Sequence, residues 1–228
     1  EASYRNAAVL CSGMPLLAAA YRLTGEDRFA ARFVEQLAEA VTWHPIQHPG
    51  WTCYNPDDDK VIPDDYKDGS WLATGIGLRG IGLGLELIPE GVVDPDLRDG
   101  IDALFDQEIA QVRDDWAEKR QWFVQSDNPA TNQWVLPLEG LLHASLASRK
   151  PNDEVAEFAV QNLLRSLDVQ GSHGEFAEGV SCAGATLASL FHAAHAAALR
   201  GDMRLTEHPF LQRFPTWVVH HIQPGRQA

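Results

Sequence analysis

Leu72-Ala73-Thr74-Gly75-Ile76-Gly77-Leu78-Arg79-Gly80-Ile81-Gly82-Leu83-Gly84-Leu85-Glu86-Leu87 is the stretch that decides the fold. It is strongly apolar and reads as a helix from Trp71 to Ile88, capped by Asp68-Gly69-Ser70 and ended by Pro89-Glu90-Gly91. Glycine costs about 1 kcal/mol at a helical site, so this density of it implies close approach of neighbouring helices. The spacing predicts an inner helix.

Outward from it, apolar residues recur at helical spacing along most of the chain. Ser3 to Leu23 carries Val9, Leu10, Met14, Leu16, Leu17 and Tyr21, and after the Thr24-Gly25 turn Glu26 to Trp43 carries Phe29, Phe33, Val34, Leu37 and Val41. Asp94-Pro95 opens a helix through Leu97, Ile101, Leu104, Phe105, Ile109, Val112 and Trp116. Another starts near Asn132 and ends around Lys150-Pro151, and Asn152 caps its partner, striped by Val155, Phe158, Leu163 and Leu167. Ser181 to Leu199 and Pro209 to Ile222 complete eight helices.

The turn Ala20–Phe29 resembles Ala198–Leu205, and four α-hairpins of about 45 residues or more match the period of helical arrays. In each pair the first helix is smaller and more apolar and the second more charged, as the inner and outer rings of an (α/α) toroid require. The expectation is an all-α fold, one toroid domain over residues 1–228, with the loops of one rim forming a cleft.

A chain of 228 residues that is 45% hydrophobic can bury a real core, alone or as a piece of a larger protein. Arg79 and Glu86 interrupt even the most apolar segment, so no membrane span is expected. A formal charge of −14 excludes nucleic acid as a natural partner and opposes polyanions generally. Cys11, Cys53 and Cys182 form no C-x-x-C pair and read as free, buried thiols. The opening Glu1-Ala2-Ser3 leads almost at once into a helix, which suggests a fragment or processed chain.

Three segments break the helical pattern. Trp43 to Gly69 holds four prolines, Asp57-Asp58-Asp59, Asp64-Asp65 and the aromatics Trp43, Trp51, Tyr54 and Tyr66. Loops of that length tend to be functional or disordered, and the aromatics favour function. The aspartates lack the spacing of a calcium loop, so no metal or other cofactor is expected. Gln125-Ser126-Asp127-Asn128-Pro129-Ala130-Thr131-Asn132-Gln133-Trp134 gathers amides at a helix mouth, and Pro137 frees a backbone carbonyl in the next turn. Buried amides are expensive unless every donor and acceptor is bonded, and a ligand is one such partner. Gln170-Gly171-Ser172-His173-Gly174-Glu175-Phe176-Ala177-Glu178-Gly179 is the third break. Each of the three joins an outer helix to the next inner one and so belongs to one rim. Aromatics beside amides and carboxylates suit sugar rings, which makes Asn128, Gln133, Trp134, Trp71, Glu175 and Trp51 candidates for substrate binding.

The start Asn132-Gln133-Trp134, followed by Gly171-Ser172-His173-Gly174-Glu175 and Glu178-Gly179, resembles the heparinase II/III and alginate-lyase superfamily of polysaccharide lyases. The resemblance implies an incomplete (α/α) toroid followed by a β-sandwich domain absent from this sequence, an acidic polysaccharide substrate, and a secreted or periplasmic location. It also implies that Asn132 binds the uronate carboxylate and that a tyrosine and a histidine perform base and acid steps. Gln133 stands where the family has a second Asn or a His, Gln170 replaces an Asp, and Val180-Ser181-Cys182 occupies the place of the family's Tyr. A phenol would then come from Tyr54 or Tyr66.

In β-elimination the C5 proton of a uronate becomes acidic only when donors hold the charge of the forming enolate, a task for Asn132 and Gln133. His173 is the first candidate for base or acid, with Tyr66 and Glu178 beside it. Plainer readings stand next to these. Asn132 as a helix cap, His173 as a loop-fixing residue, Glu175 and Glu178 as partners of a helix dipole, and His192 and His195 as core residues all fit the same residues. Two other functions use the same rim: a glycoside hydrolase with Asp127, Glu175 or Glu178 as its carboxylates, and a non-catalytic glycan-binding module.

Overall fold

The computed structural model describes residues 2–46 and 71–221, which contain helices and connections and no strand. The helices are α1 (Ala2–Thr24), α2 (Asp27–Val41), α3 (Leu72–Leu87), α4 (Pro95–Ala117), α5 (Trp122–Gln125), α6 (Asn132–Ala147), α7 (Asp153–Asp168), α8 (Gly179–Leu199) and α9 (Pro209–His221). All eight expected helices are present, and the single-turn α5 is an addition. The protein is all-α, as the periodicity predicts.

The glycines of α3 explain the centre of the fold. A Cβ on Gly80 would collide with the Cys11 carbonyl of α1, and one on Gly75 with the Leu136 carbonyl of α6. A Cβ on Gly84 would lie 2.7 Å from the Phe33 ring, and one on Gly82 would lie 3.0 Å from the His143 carbonyl oxygen. Helix α3 is thus clasped between α1 and α6, and α8 packs on the far side of α6. Residue order along these contacts has one sense: Cys11 then Met14 meet Gly80 then Gly84, and Leu136 then His143 meet Gly75 then Gly82. The inner helices of this file, α1, α3 and α6, therefore run parallel; Glu178 beside Asn132 and His192 beside Glu139 give α8 the same sense, so the starts of α3, α6 and α8 share one end.

Against this file, α2 packs on α1 and α7 on α6 as α-hairpins. The other two pairs depart from the hairpin expectation: α4 packs chiefly on α2 and α6, and α9 on α7. The outer helices thus contact one another as well as the inner file. The start and stop signals work largely as read. Asp94 Oδ1 accepts from the Asp96 N–H at 2.8 Å, Asn152 Oδ1 accepts from Val155 N–H at 3.1 Å, and Gly25, Gly91 and Gly201 take positive φ in the turns. The α3 start differs. Trp71 itself occupies the N-cap in a left-handed conformation, φ 49°, while Asp68-Gly69-Ser70 lies outside the described residues.

Arg5–Thr24 is long and apolar enough by composition to cross a membrane, contrary to the reading that no segment is, and 22% of it is buried. That segment is nonetheless an integral part of the file through Cys11 and Met14. Cys11 is a free, buried thiol whose desolvation pushes its pKa up to about 12.

Candidate functional site

The amide-rich segment is built by the core beneath it. Buried Asp115 on α4 holds Arg120 at 2.5 Å and the Gln121 amide at 3.2 Å, which turns the chain into α5. Asn128 N–H then donates to the Phe123 carbonyl at 2.8 Å, Asp127 adopts φ 50°, and Thr131 becomes the N-cap of α6. Asn132 is consequently the first helical residue rather than the cap. Its Oδ1 is buried without a hydrogen-bond partner among the described residues. An amide oxygen left unpaired at a helix mouth is costly unless a donor pairs with it.

The Gln170–Gly179 connection is closed by its own bonds. Gln170 spans it, donating to the Ser166 carbonyl at 3.1 Å and accepting from Ala177 N–H at 2.9 Å. Glu175 accepts the His173 N–H at 2.8 Å, and backbone hydrogen bonds, its own N–H first, hold its carboxyl below the usual range. Gly174, at φ 95°, lies against the Arg213–Phe214 backbone of α9. His173 is exposed, and its ring makes no hydrogen bond among the described residues.

The two connections meet at Glu178. Its carboxylate accepts the Asn132 N–H at 3.1 Å, so the N-cap residue of α8 also caps α6. Partial burial raises the pKa of Glu178, and the Asn132 N–H pulls it back in part. Asn132, Gln133 and Glu178 therefore share one helix mouth, with the His173–Glu175 turn in the same loop as Glu178.

Other sequence candidates fall elsewhere. Trp134 is fully buried: its Nε1 donates to the Asn162 carbonyl at 2.9 Å, and its ring meets Trp116 edge-on at 4.7 Å. It is a core residue, not a sugar-stacking face, and Trp71 at 4% exposure is likewise withdrawn from the surface. Asp127 is engaged by Arg165 at 2.5 Å, and Asn128 is half-buried in the α5–α6 turn. Tyr66, Trp51, Tyr54 and the aspartate runs lie outside the described residues. His192 and His195 are exposed on α8 rather than packed in the core. Among the described residues no group of three or more potential ligands could hold a metal ion.

Two polar clusters escaped the sequence reading. Glu108 of α4 is fully buried and accepts from Ile46 N–H at 2.9 Å and Thr74 Oγ1 at 3.1 Å, and its Oε1 lies 2.8 Å from His44 Nδ1. It ties the segment after α2 to the start of α3, which places the partly exposed His44 at the same end as Asn132. The second cluster lies deeper in the file, where buried Glu139 sits 3.3 Å from both Arg79 of α3 and His192 of α8. His143 beside it is buried with neither ring nitrogen bonded, and desolvation lowers its pKa to about 4. A signal existed for both clusters, since Glu108 and Glu139 fall inside the apolar stripes of α4 and α6.

A cavity of about 540 Å³ opens at the opposite end, lined in part by Glu86, Arg98, Arg149 and Arg200. Its arginines have structural partners: Arg200 donates to the Leu146 carbonyl at 2.8 Å, Arg98 to that of Ala147, and Arg149 pairs with Asp99 and Asp102. Arg98 and Arg200 cap the C-terminus of α6, Arg149 ties its end to α4, and the cavity carries none of the motif residues.

The fold and site define an all-α helical file with the Asn132 backbone N–H and the Glu178 carboxylate paired at one mouth. No family model, no curated protein and no solved structure matches the chain.

Proposed function

We propose that the chain is the helical part of a lyase that cleaves a uronate-containing polysaccharide by β-elimination, the inner and outer helices forming an arc of an (α/α) toroid. The observation that carries the reading is the Glu178–Asn132 contact, which joins the two resembling segments across 46 positions and sets the Asn132 side chain at their shared mouth. In the proposed reaction Asn132 and Gln133 donate to the substrate carboxylate and hold the enolate charge that grows as the C5 proton leaves. The base takes that proton, the C4–C5 double bond forms, the C4–O4 bond breaks and O4 departs protonated.

Glu178 suits the acid step, because a carboxyl held above its ordinary range keeps a proton more readily. His173 or Tyr66 serves as base. The hydrolase alternative has weaker support, since Asp127 is committed to Arg165 and Glu175 to its own turn.

Incubation with alginate, polyglucuronate and heparan-type chains tests the proposal. Unsaturated, ultraviolet-absorbing ends are expected from one of them, with loss of at least tenfold in rate for Asn132→Ala, which is about 1.4 kcal/mol. New reducing ends without unsaturation would select hydrolysis instead, and no product from any uronate chain would count against catalysis.

A further inference from the structure

The cavity of about 540 Å³ lies where α3 and α6 finish, and every residue of its wall is described. Its size falls within the range of small-molecule sites, about 300–1,000 Å³. Leu85 and Ile88 at the end of α3, Val93 before α4 and Leu146 of α6 give it an apolar side. Three arginines, Arg98, Arg149 and Arg200, also line it, against two glutamates, Glu86 and Glu90, in a chain that is strongly acidic as a whole. Most of these charges are answered. Asp102, outside the wall, takes Arg149 Nε at 2.7 Å, and Asp99 holds its Nη2. Burial raises the pKa of Glu86, and the nearby Arg200 charge offsets the rise in part. Glu90 is exposed to solvent. Arg98 stands apart. Its side chain is 14% exposed, yet its one hydrogen bond among the described residues runs from Nη2 to the Ala147 carbonyl. Asp102 Oδ1, at 3.6 Å, is beyond hydrogen-bond reach. Burial accordingly lowers the Arg98 pKa. A guanidinium carries five N–H donors in a planar fork, and a carboxylate fits that fork with both oxygens.

We propose that this cavity binds a small organic carboxylate with an apolar body, its oxygens on the Arg98 guanidinium and its body against Leu85, Ile88, Val93 and Leu146. The charge supplies the first half of the argument: a mostly buried cation with one carbonyl bond gains a charge-assisted partner that no described side chain gives it. The apolar side supplies the second half, because a ligand covered with hydroxyls would leave them unbonded against Leu85, Ile88, Val93 and Leu146. The cavity lies at the opposite end of the file from Asn132 and takes no part in the proposed β-elimination. It therefore stands or falls independently of that reading.

Calorimetric titration of the full chain with benzoate, benzamide and glucuronate tests this. Benzoate is expected to bind saturably and the other two at least tenfold more weakly, since benzamide lacks the charge and glucuronate the apolar body. Two variants locate the site. Arg98→Gln removes the guanidinium, while Val93→Trp keeps all three arginines and fills the space. Each, once its helical circular dichroism is shown to be unchanged, is expected to lose at least tenfold in benzoate affinity. Should Arg98→Gln fail to fold, Val93→Trp decides by the same titration. No saturable binding of benzoate overturns the proposal, as does benzoate affinity that survives in either folded variant. Benzamide binding as tightly as benzoate would show an apolar hole without an anion site, and glucuronate binding as tightly would remove the apolar body; either result overturns it too.

Discussion

Glu178, the N-cap residue of α8, accepts the backbone N–H of Asn132, the first residue of α6, at 3.1 Å. One carboxylate thereby fixes the relative height of two inner helices and of the two loops that precede them. Replacing Glu178 by Ala orphans a helix N-terminal N–H, which should cost about 1 kcal/mol in denaturant unfolding.

Glu178→Gln keeps an acceptor and removes the charge. The folded-state pKa of Glu178 is raised, so the folded chain holds that proton more tightly than the unfolded chain, and the carboxylate opposes folding once it is ionised. The Gln variant should therefore equal or exceed wild-type stability near neutral pH. Its advantage should vanish as pH falls through the ordinary carboxylate range, where wild type is protonated. Urea melts of both proteins across that range would show it.

His143 has the opposite sign. Its folded pKa, lowered by burial from 6.5 to about 4, means that the unfolded chain takes up a proton first as pH falls. The stability tied to neutral His143 is complete above pH 6.5 and is lost as pH falls toward about 4. The loss is on the order of 3 kcal/mol. His143→Leu removes two unbonded ring nitrogens and the titration together. The difference between its unfolding free energy and that of wild type should grow steadily between these pH values.

Glycine substitutions should separate the covered and uncovered parts of the file. Gly80→Ala drives a methyl into the Cys11 backbone, which has no flexible end to yield, so it should destabilise by about 2–3 kcal/mol despite better helix propensity. Gly13→Ala meets nothing within 4 Å and should stabilise by up to about 1 kcal/mol. Thermal unfolding of the two variants checks the pair.

Breaking the Glu108 cluster should be more severe. Glu108→Ala leaves Ile46 N–H and Thr74 Oγ1 without their acceptor inside the core, for a loss of about 3 kcal/mol. The same variant should loosen the Trp43–Ile46 segment, seen as faster amide exchange at Ile46 than in wild type.

Much of the fold was legible because the constraint was local. A helix with glycine at 75, 77, 80, 82 and 84 has few uses other than close packing, and Gly25, Gly91 and Gly201 sit where turns demand positive φ. The helix mouths were legible for the same reason. Trp134 was misread because adjacency in sequence is not adjacency on a helix: successive residues point about 100° apart, so Asn132 and Trp134 face nearly opposite ways. The Glu108 and Glu139 clusters depend on partners 64 and 53 positions away, His44 and His192, which no local pattern announces. The packing of α4 on α2 and α6 in place of its hairpin partner is nonlocal in the same way.

The most direct measurement is calorimetric titration of the chain and of Asn132→Ala with short oligouronates. Saturable binding by wild type, weakened at least tenfold in the variant, is the result expected if Asn132 Nδ2 donates to the substrate carboxylate. Equal affinity in the two proteins, or no binding by wild type to any oligouronate, would contradict it.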